Sequence, residues 1–267
     1  KAKGTGDDGD AKNDTLTKKI TGGTLNVNGN VTADVYGGGR GLNQAESAGY
    51  SGYGKVTGNT RVLINNKTEN NILTGNIYGG GALGTVEGNT AVVIKDGEVD
   101  GNVFGGGLGE QTVVTGNVDV LIGNTGTERN AEGPTVNGDV YGAGNGSYAY
   151  TDNVNLKGDK EYGDYYYEAS GTGLASAQAL SKHRPNAAQS YVHVTGTESK
   201  PTYIGGAIYC GGNSATLRAL GNDATALKNA KSELHIGSYV IADNVFLGSN
   251  GENMVKSDTP DDLLPIY

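Results

Sequence analysis

The element Tyr36-Gly37-Gly38-Gly39 returns as Tyr78-Gly79-Gly80-Gly81 and Phe104-Gly105-Gly106-Gly107, then more loosely as Tyr141-Gly142-Ala143-Gly144, Tyr209-Cys210-Gly211-Gly212 and Phe246-Leu247-Gly248-Ser249. An internal repeat of this size implies one structural unit stacked on the next, since a single unit cannot bury its own apolar face. Upstream of each aromatic lies an apolar triplet: Leu25-Asn26-Val27, Val62-Leu63-Ile64, Val92-Val93-Ile94, Val120-Leu121-Ile122, Val192-His193-Val194 and Leu234-His235-Ile236. Three of these follow Gly-Asn, at Gly58-Asn59, Gly88-Asn89 and Gly116-Asn117. A third β-prone piece precedes that Gly-Asn, as Lys55-Val56-Thr57, Thr85-Val86 and Thr112-Val113-Val114. Each full unit therefore reads as three short strands separated by turns. The tightest unit, from Tyr78 to Phe104, advances by 26 residues, which suits one three-sided turn of a parallel β-helix. Helical repeats are excluded by the β-branched content and the frequent Gly.

Alternation along the strands assigns the faces. The outer members of each triplet, such as Val92 and Ile94, are apolar throughout and are expected inside, while Arg61, Ala91, Asp119, Tyr191 and Glu233 form a mixed neighbouring row. In the second strand Val35, Ile77, Val103, Val140, Ile208 and Val245 are expected inside. Asp34, Asn76, Asn102, Asp139 and Asn244 then share the opposite face with the aromatics. Stacked Asn and aromatic side chains hold neighbouring coils together without any ligand. The alternative parity buries the aromatics at a corner beside the Gly run.

The expected architecture is thus all-β: a single-stranded parallel β-helix, or β-solenoid, of about six coils over residues 20–250. It is flanked by a flexible segment at 1–19 and a tail or linker at 251–267. Insertions are expected on one corner, after the Gly run, at 40–55, 142–189 and 213–232, with short helices over 173–183 and 215–231. With 47 Gly, 5 Pro, 2 Phe and no Trp, the chain has little material for a bulky core and favours a thin, continuous one. The net charge of -9 disfavours nucleic acid and anionic membrane surfaces, because phosphate binding needs clustered Lys and Arg. No stretch approaches the roughly 18 apolar residues of a membrane span, so no membrane insertion by this fragment is expected.

Residues able to do chemistry are sparse. One cysteine, Cys210, excludes an internal disulfide and reads as a small residue in a Gly-rich turn. The Gly runs lack the Asp of a calcium-binding nonapeptide and the Gly-Lys-Ser/Thr of a phosphate loop, so no metal and no cofactor is expected. His193 and His235 fall in one outward register and read as a polar pair on an outer face. An enzyme acting on polysaccharides would draw on Asp119, Asp139, Glu233, Asp243 and Arg61, although Asp34 and Asp139 replace Asn in the ladder. The longest insertion holds Tyr148, Tyr150, Tyr162, Tyr165, Tyr166 and Tyr167. Tyrosines have flat apolar faces with polar tips, which suit sugar rings and protein surfaces alike.

At Gly75-Asn76-Ile77-Tyr78-Gly79-Gly80-Gly81, Gly88-Asn89-Thr90 and Gly101-Asn102-Val103-Phe104-Gly105-Gly106-Gly107 the chain resembles the Gly-rich repeats of large exported surface proteins of gut bacteria. The resemblance covers most of 20–250 and implies a right-handed, pectin-lyase-like β-helix, secretion or cell-surface location, and an adhesin-like role in a larger chain with neighbouring domains. The function expected first is a non-enzymatic surface module whose insertion-bearing face binds a host or matrix glycan or a surface protein. The alternatives are a polysaccharide lyase or glycoside hydrolase and a structural spacer.

Overall fold

The computed structural model describes residues 22–41, 54–66, 72–109, 112–123, 133–146, 186–213, 215–217 and 231–250. Among the described residues there is no helix, and therefore none long and apolar enough to cross a membrane. The described residues follow one another through three sheets in six circuits. The first contributes β1 (Gly23–Val27) and β2 (Val35–Tyr36); the second β3 (Thr60–Asn65), β4 (Ile72–Leu73) and β5 (Ile77–Tyr78); the third β6 (Thr90–Asp96), β7 (Glu98–Val99) and β8 (Val103–Phe104). The fourth adds β9 (Val113–Ile122), β10 (Thr135–Val136) and β11 (Val140–Tyr141), and the fifth β12 (Asn186–Val194), β13 (Thr202–Ile204) and β14 (Ala207–Tyr209). The sixth has β15 (Thr216–Leu217), β16 (Lys231–Ile236), β17 (Val240–Ile241) and β18 (Asn244–Phe246).

Equivalent strands pair into three sheets, and every strand pairing is parallel. Sheet A runs β1-β3-β6-β9-β12, with β15 and β16 both on β12; sheet B runs β17-β13-β10-β7-β4; sheet C runs β18-β14-β11-β8-β5-β2. The interior is built from stacked rows. Val62, Val92, Val120 and Val192 form one and Ile64, Ile94, Ile122 and Val194 a second from sheet A. Sheet B supplies Leu73, Val99, Val136 and Ile204, and sheet C supplies Val35, Ile77, Val103, Val140 and Ile208. All of these are buried and in contact as one core, so the expected parity of both strands holds through the first five circuits; Ile236 and Val245, expected inside as well, are 41% and 49% exposed, because no further circuit covers them among the described residues.

The third strand differs from expectation. The pieces around Val56, Val86 and Val114 do stack, but as a column of bridges leading into sheet A, and Ala187 and Leu217 continue it. Together with Val118 and Ala143 they make a second small apolar cluster. The third sheet is sheet B, assembled from two- and three-residue strands just before the turn that enters sheet C. Such strands are too short for alternation to reveal them. The helix expected over 215–231 is also overturned at both ends: Leu217 extends its strand beside Ala187, and Lys231 opens β16. Ala and Leu there were compatible with a helix, yet the place at the sheet edge decides the conformation. The helix expected over 173–183 lies outside the described residues.

Candidate functional site

Sheet C turns its aromatics away from the main core, as the alternation requires. Tyr36, Tyr78, Phe104, Tyr141, Tyr209 and Phe246 stack through all six described circuits with centroids 4.8 to 5.0 Å apart. They are nonetheless buried in the middle of the stack, where Tyr78, Phe104 and Tyr141 pack with Leu108 as a third cluster. The Gly run explains this. A Cβ on Gly105 would sit 2.3 Å from the Val118 side chain and 2.5 Å from the Gly142 carbonyl, so only a bare backbone folds tightly enough after the aromatic. The chain returns as a column of bridges through Arg40, Ala82, Leu108, Asn145, Asn213 and Asn250, which lies alongside the rings.

Asn and Asp side chains beside the rings bond from one circuit to the next. Asp34 Oδ1 accepts from the Asn76 amide, Asn76 Oδ1 from Asn102, Asn102 Oδ1 from Asp139 and Asp139 Oδ1 from Ala207, each at 2.8 Å. A parallel ladder ahead of sheet A uses Asn59 Oδ1 and Asn89 Oδ1 in the same way. Asp139 Oδ2 also accepts the Tyr141 hydroxyl at 3.0 Å, and the Tyr78 hydroxyl accepts from Asn145 Nδ2 at 3.3 Å. Burial first, then the neighbouring Asp139 charge, pushes the Tyr141 phenol far above its ordinary range, and burial does the same to Tyr78. Asp34 and Asp139 are thus ladder members, as their places in the repeat implied.

The outer face of sheet A is chemically mixed. One row reads Thr24, Arg61, Ala91, Asp119, Tyr191, Glu233 in register, and the next reads Asn26, Leu63, Val93, Leu121, His193, His235. His193 and His235 are direct partners across β12 and β16, with ring centroids 6.0 Å apart. Tyr191 stands 5.3 Å from His235, and His235 Nε2 meets Glu233 Oε1 at 2.7 Å. Toward the other end, Thr24, Asn59, Arg61, Asn89, Ala91 and Asp119 line an open groove of about 400 Å³. Ala91 is its floor. Arg61 and Asp119 stand on either side, and burial lifts the Asp119 carboxyl above the ordinary carboxylate range. Of the residues an enzyme would use, Arg61, Asp119 and Glu233 share this row at two-rung intervals. Asp139 immediately precedes β11 of sheet C, and Asp243 bonds through its amide to the Gly206 carbonyl. Among the described residues no group of three or more His, Cys, Asp or Glu is arranged to hold a metal ion.

Cys210 occupies the place that Gly79, Gly105 and Gly142 hold in other circuits, and it is fully buried. Its side chain faces Ser190, whose register partners are Thr60, Thr90 and Val118 by way of the sheet A ladder. Ser190 Oγ donates to the Cys210 carbonyl and lies 3.5 Å from Cys210 Sγ. Burial raises the thiol, against a smaller lowering by the Ser190 bond. This makes a poor nucleophile, since thiolate is the reactive form.

Tyr148, Tyr150, Tyr162, Tyr165, Tyr166 and Tyr167 lie outside the described residues. The backbone fixes only where their segment departs: 42–53 and 147–185 each follow the bridge column, one residue past Arg40 and Asn145. A second point of departure was not foreseen. Residues 67–71 and 124–132 follow Asn66 and Gly123, at the corner between sheets A and B. Compared with protein-family models, curated proteins and solved structures, the chain matches none closely enough to establish a relationship.

Proposed function

We propose that this chain is a right-handed parallel β-helix serving as an exported, non-enzymatic surface module that binds a glycan or a surface protein. The circuit order A, B, C, repeated with parallel pairing throughout, supports the helix. Its hand follows from the sterics that make about 98% of parallel crossover connections right-handed. The observation that carries the binding role is the column Arg40, Ala82, Leu108, Asn145, Asn213, Asn250. Two long segments, one with six tyrosines, depart beside it from equivalent places, which is how a repeat protein gathers a recognition surface. A sugar stacked on one exposed tyrosine contributes only on the order of 1 kcal/mol, so affinity comes from several contacts or many copies. Deleting Tyr148 to Ser181 should abolish binding on glycan arrays and host cells while leaving the β-rich circular dichroism spectrum and cooperative melting intact. Unchanged binding would move the site elsewhere.

A second reading, a polysaccharide lyase or glycoside hydrolase, is favoured by the groove between Arg61 and Asp119, where a half-buried carboxyl with raised proton affinity faces a cation across a small residue. Release of unsaturated or reducing sugars from pectins, alginates or glycosaminoglycans, lost in Asp119→Asn, would establish it over the first.

A further inference from the structure

The outer face of sheet A carries a compact square of side chains that neither reading above uses. Tyr191 and His193 stand two residues apart on β12, Glu233 and His235 two apart on β16, and the register sets Tyr191 beside Glu233 and His193 beside His235. The two imidazole rings are 6.0 Å apart between centroids and inclined by 57°. Tyr191 packs against both, edge-on to His193 at 6.3 Å and tilted toward His235 at 5.3 Å, which limits the directions in which either ring can swing. On the other side of His193 the row continues as Leu121, which offers no polar partner.

We propose that His193 and His235 together bind one divalent transition-metal ion of the Cu²⁺, Ni²⁺ and Zn²⁺ group, held across the two strands. Imidazole nitrogen suits these ions, whereas Mg²⁺ and Ca²⁺ take oxygen ligands. The neighbouring carboxylate sets the tautomer. Glu233 Oε1 lies 2.7 Å from His235 Nε2, and an ionised carboxylate only accepts, so in the neutral ring Nε2 holds the proton and Nδ1 keeps its lone pair for a metal. Metal-ligating histidines are typically supported by a carboxylate in this way. With metal–nitrogen bonds of about 2.0–2.1 Å, rings at this spacing accept one ion between them after small side-chain rotations. The Glu233 charge and the net charge of -9 both favour a cation there. Among the described residues no third His, Cys, Asp or Glu completes a closed metal centre, so water fills the remaining positions and the ion exchanges. While bound it ties the sixth circuit to the fifth, because β16 joins sheet A through β12.

Calorimetric titration of the full chain, first stripped of metal by a chelator, with Cu²⁺, Ni²⁺, Zn²⁺ or Mg²⁺ alone tests this. The expected result is a site that prefers Cu²⁺ to Ni²⁺ and Zn²⁺ and ignores Mg²⁺, with two nitrogen ligands in the copper electron paramagnetic resonance spectrum. His193→Ala and His235→Ala should each weaken that site roughly tenfold or more and leave one nitrogen ligand. Glu233→Ala should keep both nitrogens and weaken binding about tenfold, as loss of a supporting carboxylate does. Zn²⁺ should raise the melting temperature of the parent and not of the histidine variants, since it binds the folded pair. With metal chelated, circular dichroism and melting of all three variants should match the parent, so loss of binding is not loss of fold. No binding by the parent, Cu²⁺ affinity that survives in both histidine variants, or an equal response to Mg²⁺ would overturn the proposal.

Discussion

The outer faces of sheets C and A come from the same repeat and the same alternation, yet they have opposite fates. On sheet C the outward residue is an aromatic in every circuit, followed at once by a Gly-rich turn that brings the return strand alongside, so the outward row becomes a second core. On sheet A the outward rows change character from circuit to circuit, running from Arg61 through Ala91 to Asp119 and Tyr191. Uniform rows can stack on themselves, and mixed rows cannot.

Four substitutions can break or sharpen this contrast. The largest effect should come from Val103→Asp, which buries an unpaired carboxylate in a narrow apolar interior and should cost more than about 4 kcal/mol, read as loss of the cooperative melt. Phe104→Ala should follow at about 3–5 kcal/mol by denaturant unfolding, because it opens a gap in a continuous ring stack. His193→Ala, on the sheet A face, should change stability by no more than about 0.5 kcal/mol. Equal costs for Phe104→Ala and His193→Ala would erase the distinction between the faces. Asn102→Ala removes the acceptor for the Asp139 amide and should cost about 1–2 kcal/mol.

A small, pH-dependent effect tests the groove. Burial raises the Asp119 proton affinity in the folded state, so folding favours the neutral acid. Its penalty is absent below the carboxylate range and sets in as pH rises through the folded-state pKa. Asp119→Asn should therefore stabilise the fold at neutral pH and lose that advantage in acid. The gain should be under about 1 kcal/mol, since a half-buried group keeps much of its hydration. A variant less stable than the parent at neutral pH would mean that the carboxylate has a partner worth more than its desolvation.

The rows of the interior were legible because the sheet A strands, the two-residue β15 apart, are five residues or longer and their triplets keep one register from circuit to circuit. The aromatic ladder was legible too, from Tyr36 to Phe246. Sheet B was not, since Ile72–Leu73 or Thr135–Val136 carries no period that two residues could express. The positions Leu73, Val99, Val136 and Ile204 do share one signal, an apolar residue two places before a Gly or its equivalent at the entry to sheet C, which the more prominent Val-Thr pieces obscured. The register of His193 on His235 followed from the triplets. The groove at Ala91 did not, because a concavity depends on which small residue falls between two large ones in the third dimension.

The cysteine at 210 has a consequence for the next circuit. At the equivalent Gly105 and Gly142, a new Cβ would press on the Val118 and Val192 side chains of the circuit that follows, at 2.3 and 2.8 Å. The residue that holds the place of Val118 beside Cys210 is Ser232, further along the same row through Ser190. A small side chain there leaves room for the cysteine. Ser232→Val should therefore be tolerated only in a chain that has glycine at 210, read as loss of the cooperative melt in the single variant and its return in the double.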